Sequence, residues 1–121
     1  FTNNQTKLSG TNCISSAKLQ LNGHDRFAER PGSYFNWVQP YQHHTNSPRI
    51  GINVYSFALK PEEHQPSGSC NFSRIDNAVL NCKRGNGSTT GSNVAGKLLI
   101  YALNYNVLRI MSGMGGLAYS N

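Results

Sequence analysis

The chain has 121 residues, enough for one small domain. It is 37% hydrophobic and 13% charged, both low for a globular domain, and Asn, Ser, Gly and Thr fill the balance, which leans the composition to all-β. The formal charge of +6 comes from scattered residues in which only Lys83 and Arg84 are adjacent, and a nucleic-acid groove needs clustered cations with aromatic platforms, so direct nucleic-acid binding is not expected.

In chain order, residues 1–16 are polar and aperiodic and read as a loop or linker. Residues 17–121 read as a portion of a β-sandwich. Ala17, Leu19 and Leu21 alternate with Lys18, Gln20 and Asn22, the period of a half-buried strand that ends at Asn22-Gly23. Ser33 is placed to cap a short helical turn carrying Tyr34, Phe35, Trp37 and Val38, with Pro40 as its stop. That aromatic cluster is expected to plug one end of the core, with Trp37 buried.

A strand is expected over Ile50–Leu59, with its apolar face switching near Val54–Tyr55 and its end at Lys60-Pro61. Pro66-Ser67-Gly68 signals a turn, and a further strand is expected about Asn71–Cys82, with Phe72, Ile75, Val79 and Leu80 in the core. Residues 84–96 read as a Gly/Ser/Thr/Asn loop. Leu99, Tyr101, Leu103, Tyr105 and Val107 then line one face of a strand over Lys97–Met111, expected to pair beside Asn71–Cys82. Residues 112–116 read as a glycine kink in which Gly115 has a special conformation, and Leu117–Tyr119 as a last short strand. About five strands are present where a jelly roll needs about eight, so part of the sheet lies outside this chain.

The cysteines Cys13, Cys70 and Cys82 are odd in number and lack a CxxC, so reduced thiols are expected rather than a disulfide framework. No run of about 18 apolar residues marks a transmembrane span, and no signal peptide or basic targeting segment is visible. Residue 1 is Phe, which is expected of a processed chain or a piece of something longer.

Motifs for chemistry are incomplete. Residues 91–98 approach a phosphate-binding loop, but Leu98 stands where a Mg²⁺-binding hydroxyl belongs. Gly113, Gly115 and Ala118 fit a dinucleotide pattern that lacks the following helix and acidic residue. The histidines His24, His43, His44 and His64 have no Cys or carboxylate at zinc-like spacing. Neither His24-Asp25 nor Glu62-Glu63 makes a catalytic pair by adjacency. No catalytic, metal or cofactor residue is therefore assigned. Three sequons are possible glycosylation sites, at Asn86, Asn71 and Asn4.

A set of blocks carries a specific resemblance. LQLNGHDRF at Leu19–Phe27, GSYFN at Gly32–Asn36 and VQPYQ at Val38–Gln42 come first. YSFALKP at Tyr55–Pro61, QPSG at Gln65–Gly68 and CNFSRIDN at Cys70–Asn77 follow. YNVLRIMSGMGGLAY at Tyr105–Tyr119 closes the series. In this order the blocks resemble the major capsid proteins of large icosahedral DNA viruses, of chlorovirus, iridovirus and mimivirus type, interrupted by variable loops at residues 43–49 and 83–96.

The resemblance implies an all-β double jelly-roll subunit, of which this chain is the C-terminal part of the second jelly roll: about five strands and a short helix. It implies a structural protein without enzymatic activity or cofactor, which forms homotrimeric, pseudo-hexagonal capsomers of an icosahedral virion shell assembled in the host cytoplasm. Neighbouring capsomers and minor capsid proteins are its implied partners, and an internal membrane lies nearby. An alternative is a carbohydrate-binding β-sandwich module that stacks sugars on Tyr34, Trp37 and Tyr41. A jelly-roll enzyme is less favoured, because the strand segments carry no His.

Overall fold

The computed structural model describes residues 12–85 and 97–119. Strand β1 (Ile14–Leu21) is the centre of the larger sheet. Its alternation is the expected one: Ala17 and Leu19 are buried, while Ser16, Lys18 and Gln20 on the opposite face are partly exposed. The strand begins at Ile14, inside the stretch read from sequence as a polar loop.

After β1 the chain turns at Asn22 (φ 51°) and Gly23 (φ 80°). Two successive positive φ values make the tight hairpin whose twist matches its strands. The return is β2 (His24–Asp25) and, after a break, β3 (Arg30–Pro31). Gln20 faces Asp25 and Ala17 faces Arg30, so β2 and β3 form one interrupted edge. Just beyond β3 the backbone crosses the start of β1 so closely that a Cβ on Gly32 would lie 1.9 Å from the Ile14 carbonyl oxygen.

A π-helical turn (Tyr34–Val38) continues directly into α1 (Gln39–His43). Ser33 precedes the turn but its side chain makes no capping bond. Pro40 is not a stop. It occupies the first turn of α1, where its missing N–H leaves no helical bond unmade.

The expected strand over Ile50–Leu59 is absent: residues 50–59 carry no ladder. Their backbone groups are taken by the helix instead. Val54 N–H donates to the Phe35 carbonyl at 3.0 Å, and Ser56 N–H donates to Gln39 Oε1 at 3.3 Å. The apolar side chains still pack. Phe35, Phe27, Tyr55, Phe57 and Phe72 form a chain of ring contacts with centroids 4.9 to 5.6 Å apart. The core is buried Phe35 of this row with Ala17, Leu19 and Ala58, and the row runs out to half-exposed Phe72.

Only the second half of the expected Asn71–Cys82 strand forms. A 3₁₀ turn (Phe72–Arg74) precedes β4 (Ala78–Arg84), which pairs antiparallel with β1, Leu80 opposite Leu19 and Cys82 opposite Ala17. Opposite residues share a face, so Leu80 extends the face that buries Leu19. Yet Leu80 is 43% exposed, Val79 36% and Phe72 50%, against their expected core roles. No second layer covers β4 among the described residues.

The expected long strand Lys97–Met111 is reduced to its end. Residues 97–107 form no ladder, and β5 (Leu108–Met111) pairs with β6 (Met114–Leu117) in a separate hairpin. Its tight turn is Ser112 (φ 52°) and Gly113 (φ 76°), so the special glycine is Gly113 rather than Gly115. The last strand is accordingly Met114–Leu117, not Leu117–Tyr119. The expected pairing of the 71–82 and 97–111 segments is also absent: β4 pairs with β1, and β5 with β6. Most of the proposed intervening loop lies outside the described residues.

Candidate assembly surfaces

The helix has inverted polarity. Its buried underside carries Phe35 at 5% exposure but also Asn36 at 1% and Gln39 at 4%. Its outer face carries Trp37 at 52% and Tyr41 at 84%, with Val38 between them. Trp37 is thus not the buried plug expected from sequence: the residues one position before and two after it turn their amides inward to serve backbone. Asn36 Nδ2 donates to the carbonyls of Arg49 (3.2 Å) and Ile52 (2.8 Å). Gln39 Nε2 donates to the Tyr34 hydroxyl at 2.8 Å. No buried side-chain nitrogen or oxygen lacks a partner among the described residues.

The three aromatics of the sugar-stacking alternative do not act together. Tyr34 is drawn toward the body, its ring edge-on to Phe35, its hydroxyl on Gln39, and Arg30 over its face at 5.6 Å. Trp37 and Tyr41 remain outward, one helical turn apart.

The C-terminal end of α1 is clasped to residues 59–62. His43 Nδ1 lies 3.0 Å from the Leu59 carbonyl, and His44 Nδ1 lies 3.0 Å from Glu62 Oε1. Thr45 Oγ1 donates to Glu62 Oε2 at 2.8 Å. The Thr45 hydroxyl first, and His44 after it, hold the Glu62 carboxyl below the usual carboxylate range. The sequence reading assigned these histidines and Glu62 no role and did not single out Asn36 or Gln39. Polar residues spaced three apart inside an aromatic run were the available signal.

The polar face of the larger sheet is closed on itself. Lys83 Nζ pairs with Glu29 at 2.8 Å, and Lys18 Nζ with Asp25 at 3.5 Å. Gln20 bridges Asp25 and Asn81. The Lys83 bond, then that of Ser16, lowers the Glu29 pKa; the Gln20 bond, then Lys18, lowers that of Asp25. The shallow cleft between Lys18, Glu29 and Lys83 is lined by these mutual pairs together with Gln20, Asn81 and the free thiol Cys82.

Of the three sequons, Asn4 and Asn86 lie outside the described residues. Asn71 is exposed, and its Oδ1 caps the 3₁₀ turn by accepting from Ser73 N–H at 3.1 Å. Cys13, Cys70 and Cys82 are free thiols, and burial pushes the Cys82 thiol pKa up. Among the described residues no cluster of His, Cys and carboxylates could hold a metal ion, and no helix is long and apolar enough to cross a membrane.

The third surface is the C-terminal arm. Leu103 is 97% exposed, and Ile100, Tyr101, Leu108, Ile110 and Met114 are all largely exposed. From the arm, the Tyr105 hydroxyl donates to the Glu63 carbonyl at 3.0 Å. So large an apolar area is rare on a finished surface.

Comparison with known proteins bears on these surfaces. The family described as large eukaryotic DNA virus major capsid protein matches residues 1–116. The major capsid protein of Chrysochromulina ericina virus is 70% identical over 112 residues, which cover 93% of this chain and 19% of that protein. That of Paramecium bursaria Chlorella virus 1 is 56% identical over 125 residues, covering 89% of this chain and 29% of that protein. The crystal structure of PBCV-1 VP54, fitted into a reconstruction of the virophage Sputnik, superposes with a TM-score of 0.73 at 52% identity. It covers 90% of this chain and 30% of that one. The chain therefore spans less than a third of the length of these relatives.

Proposed function

This chain belongs to the major capsid protein family of large eukaryotic DNA viruses, and from that premise we propose that it serves as the C-terminal part of a capsid subunit's second jelly roll. The observation that carries the reading is the 70% identity over 93% of the chain. The uncovered apolar face of β4 and the exposed arm support it physically. Half a sandwich leaves an open edge and a bare face, which the remaining strands of the same subunit cover.

The complete subunit forms homotrimeric, pseudo-hexagonal capsomers, which pack with neighbouring capsomers and minor capsid proteins into an icosahedral shell assembled in the host cytoplasm, over an internal membrane. Its role is structural rather than enzymatic. Cyclic association buries apolar patches that a rigid β-wall holds in place. The exposed sequon at Asn71 is available for glycosylation, which mass spectrometry of that peptide would reveal. Native mass measurement of the full-length polypeptide tests the main reading: a trimer is expected, and a stable monomer under assembly conditions overturns it.

One observation favours a second reading as a carbohydrate-binding module, namely the outward Trp37 and Tyr41. Selective binding on a glycan array, abolished by Trp37→Ala, would support it.

A further inference from the structure

The turn between β1 and β2 carries a reactive pair that the capsid reading leaves unused. In an Asn-Gly sequence the backbone nitrogen of glycine can attack the side-chain amide of asparagine, because no Cβ shields it. Asn22 and Gly23 are both exposed, and nothing lies within 4 Å of where a Cβ on Gly23 would stand. Water and base reach the pair, so burial gives it no protection. We propose that Asn22-Gly23 is a latent deamidation site, held closed by its tie to residues 76 and 77 and chemically marked once the hairpin opens.

Two features hold it closed. The first is backbone conformation. Ring closure needs the Gly23 nitrogen on the same side of the Asn22 Cα–C bond as Cβ. Asn22 has φ 51°, and a residue with a side chain at such a φ takes a ψ of about 30 to 60°. That ψ turns the Gly23 nitrogen to the side opposite Cβ, out of reach of Cγ. The second feature is a tether. Asn22 Oδ1 accepts from the backbone N–H of Asp76 at 3.0 Å and of Asn77 at 3.3 Å, and Asn22 N–H donates to the Asn77 carbonyl at 2.8 Å. Side chain and backbone of Asn22 are thus both tied to the segment that leads into β4. Reaction requires these ties to break, which is a local opening of the hairpin away from β4.

In the open chain the chemistry needs only water. The Gly23 nitrogen bonds to Asn22 Cγ, the Cγ–Nδ2 bond breaks, and Nδ2 leaves as ammonia with the Gly23 amide proton. The succinimide then takes up water. Opening at Cγ yields aspartate; opening at the Asn22 carbonyl carbon leaves an isoaspartyl link, with the chain running through Cβ and Cγ. That link adds a methylene to the tight turn, so the pairing of Leu21 with His24 is not restored. A copy whose hairpin has opened keeps the mark.

The full-length subunit, incubated at mildly alkaline pH in native buffer and in denaturant, tests the proposal. Mass spectrometry and enzymatic isoaspartate methylation read the tryptic peptide Leu19–Arg26. Conversion is expected to be at least about tenfold slower in the native subunit, as where local opening gates a reaction. Equal rates overturn the proposal, and so does a denatured chain in which Asn22 does not react. Asp76→Pro removes one donor to Oδ1, and Ile75 before it already has the extended backbone (φ −99°, ψ 114°) that proline requires of its predecessor. In that variant native conversion should rise about fivefold, the worth of one hydrogen bond. A folded Asp76→Pro subunit as protected as the parent overturns the gate; if the variant does not fold, the native-to-denatured ratio of the parent decides by itself. Neither readout involves assembly, so the outcome is independent of the capsid reading.

Discussion

Residues 12–58 and residues 97–119 treat apolar side chains in opposite ways. In the first region Ala17, Leu19, Phe35 and Ala58 are buried, aromatic rings touch one another, and buried amides find carbonyls. In the second, Leu103 is 97% exposed and each residue of the hairpin β5–β6 is open to solvent. The arm is the more apolar of the two in sequence, yet it is the one that lacks a second layer among the described residues. The first region carries its own cover, the helix and residues 50–58. The arm carries none among the described residues, as expected of strands whose partners belong to the rest of a larger subunit.

Five substitutions in the full-length subunit and one titration, with its own control variant, probe this contrast. The largest effect is expected at Gly32. An alanine there puts Cβ against the Ile14 carbonyl and forces the crossing apart, so Gly32→Ala should lower stability by about 3 kcal/mol in denaturant titration. Asn36→Ala strands two carbonyls beneath the helix and should cost about 2 kcal/mol. Leu103→Ala gives the sharpest reading of the arm. If the rest of the subunit covers it, the loss is again about 2 kcal/mol; a loss below about 0.5 kcal/mol means that the arm stays bare. Gly113→Ala should cost about 1 kcal/mol through its positive φ, while Gly115→Ala, which has open space around it, should cost less. Equal effects at the two glycines would contradict the hairpin geometry.

The smallest effect concerns the clasp at the end of α1. The folded-state pKa of Glu62 is depressed, so its contribution is present above the ordinary glutamate pKa and fades as pH falls through the folded value. Hydrogen exchange over residues 59–63 should therefore show protection near neutrality that diminishes below about pH 4.5. In Glu62→Gln that acid-dependent step should be missing, and its persistence would assign the step to another group.

Local signals in the sequence were sufficient for some elements. The alternation of Ala17, Leu19 and Leu21 and the Asn22-Gly23 turn specify β1 and its hairpin, because period and positive φ are properties of neighbouring residues. The ordered blocks from Leu19 to Tyr119 were sufficient for the family. The 50–59 segment was illegible for a physical reason. Its apolar pattern suits a strand, but a strand also needs free backbone donors and acceptors, and Asn36, Gln39 and the Phe35 carbonyl claim some of these from a distance. The exposure of Trp37 was illegible for the same reason, since an aromatic residue reads as core until the neighbouring amides are seen to occupy the inward face. Sequence alone determined the β character, the first strand with its turn, and the family; tertiary structure decided which polar groups face inward, and with them which aromatic rings face outward.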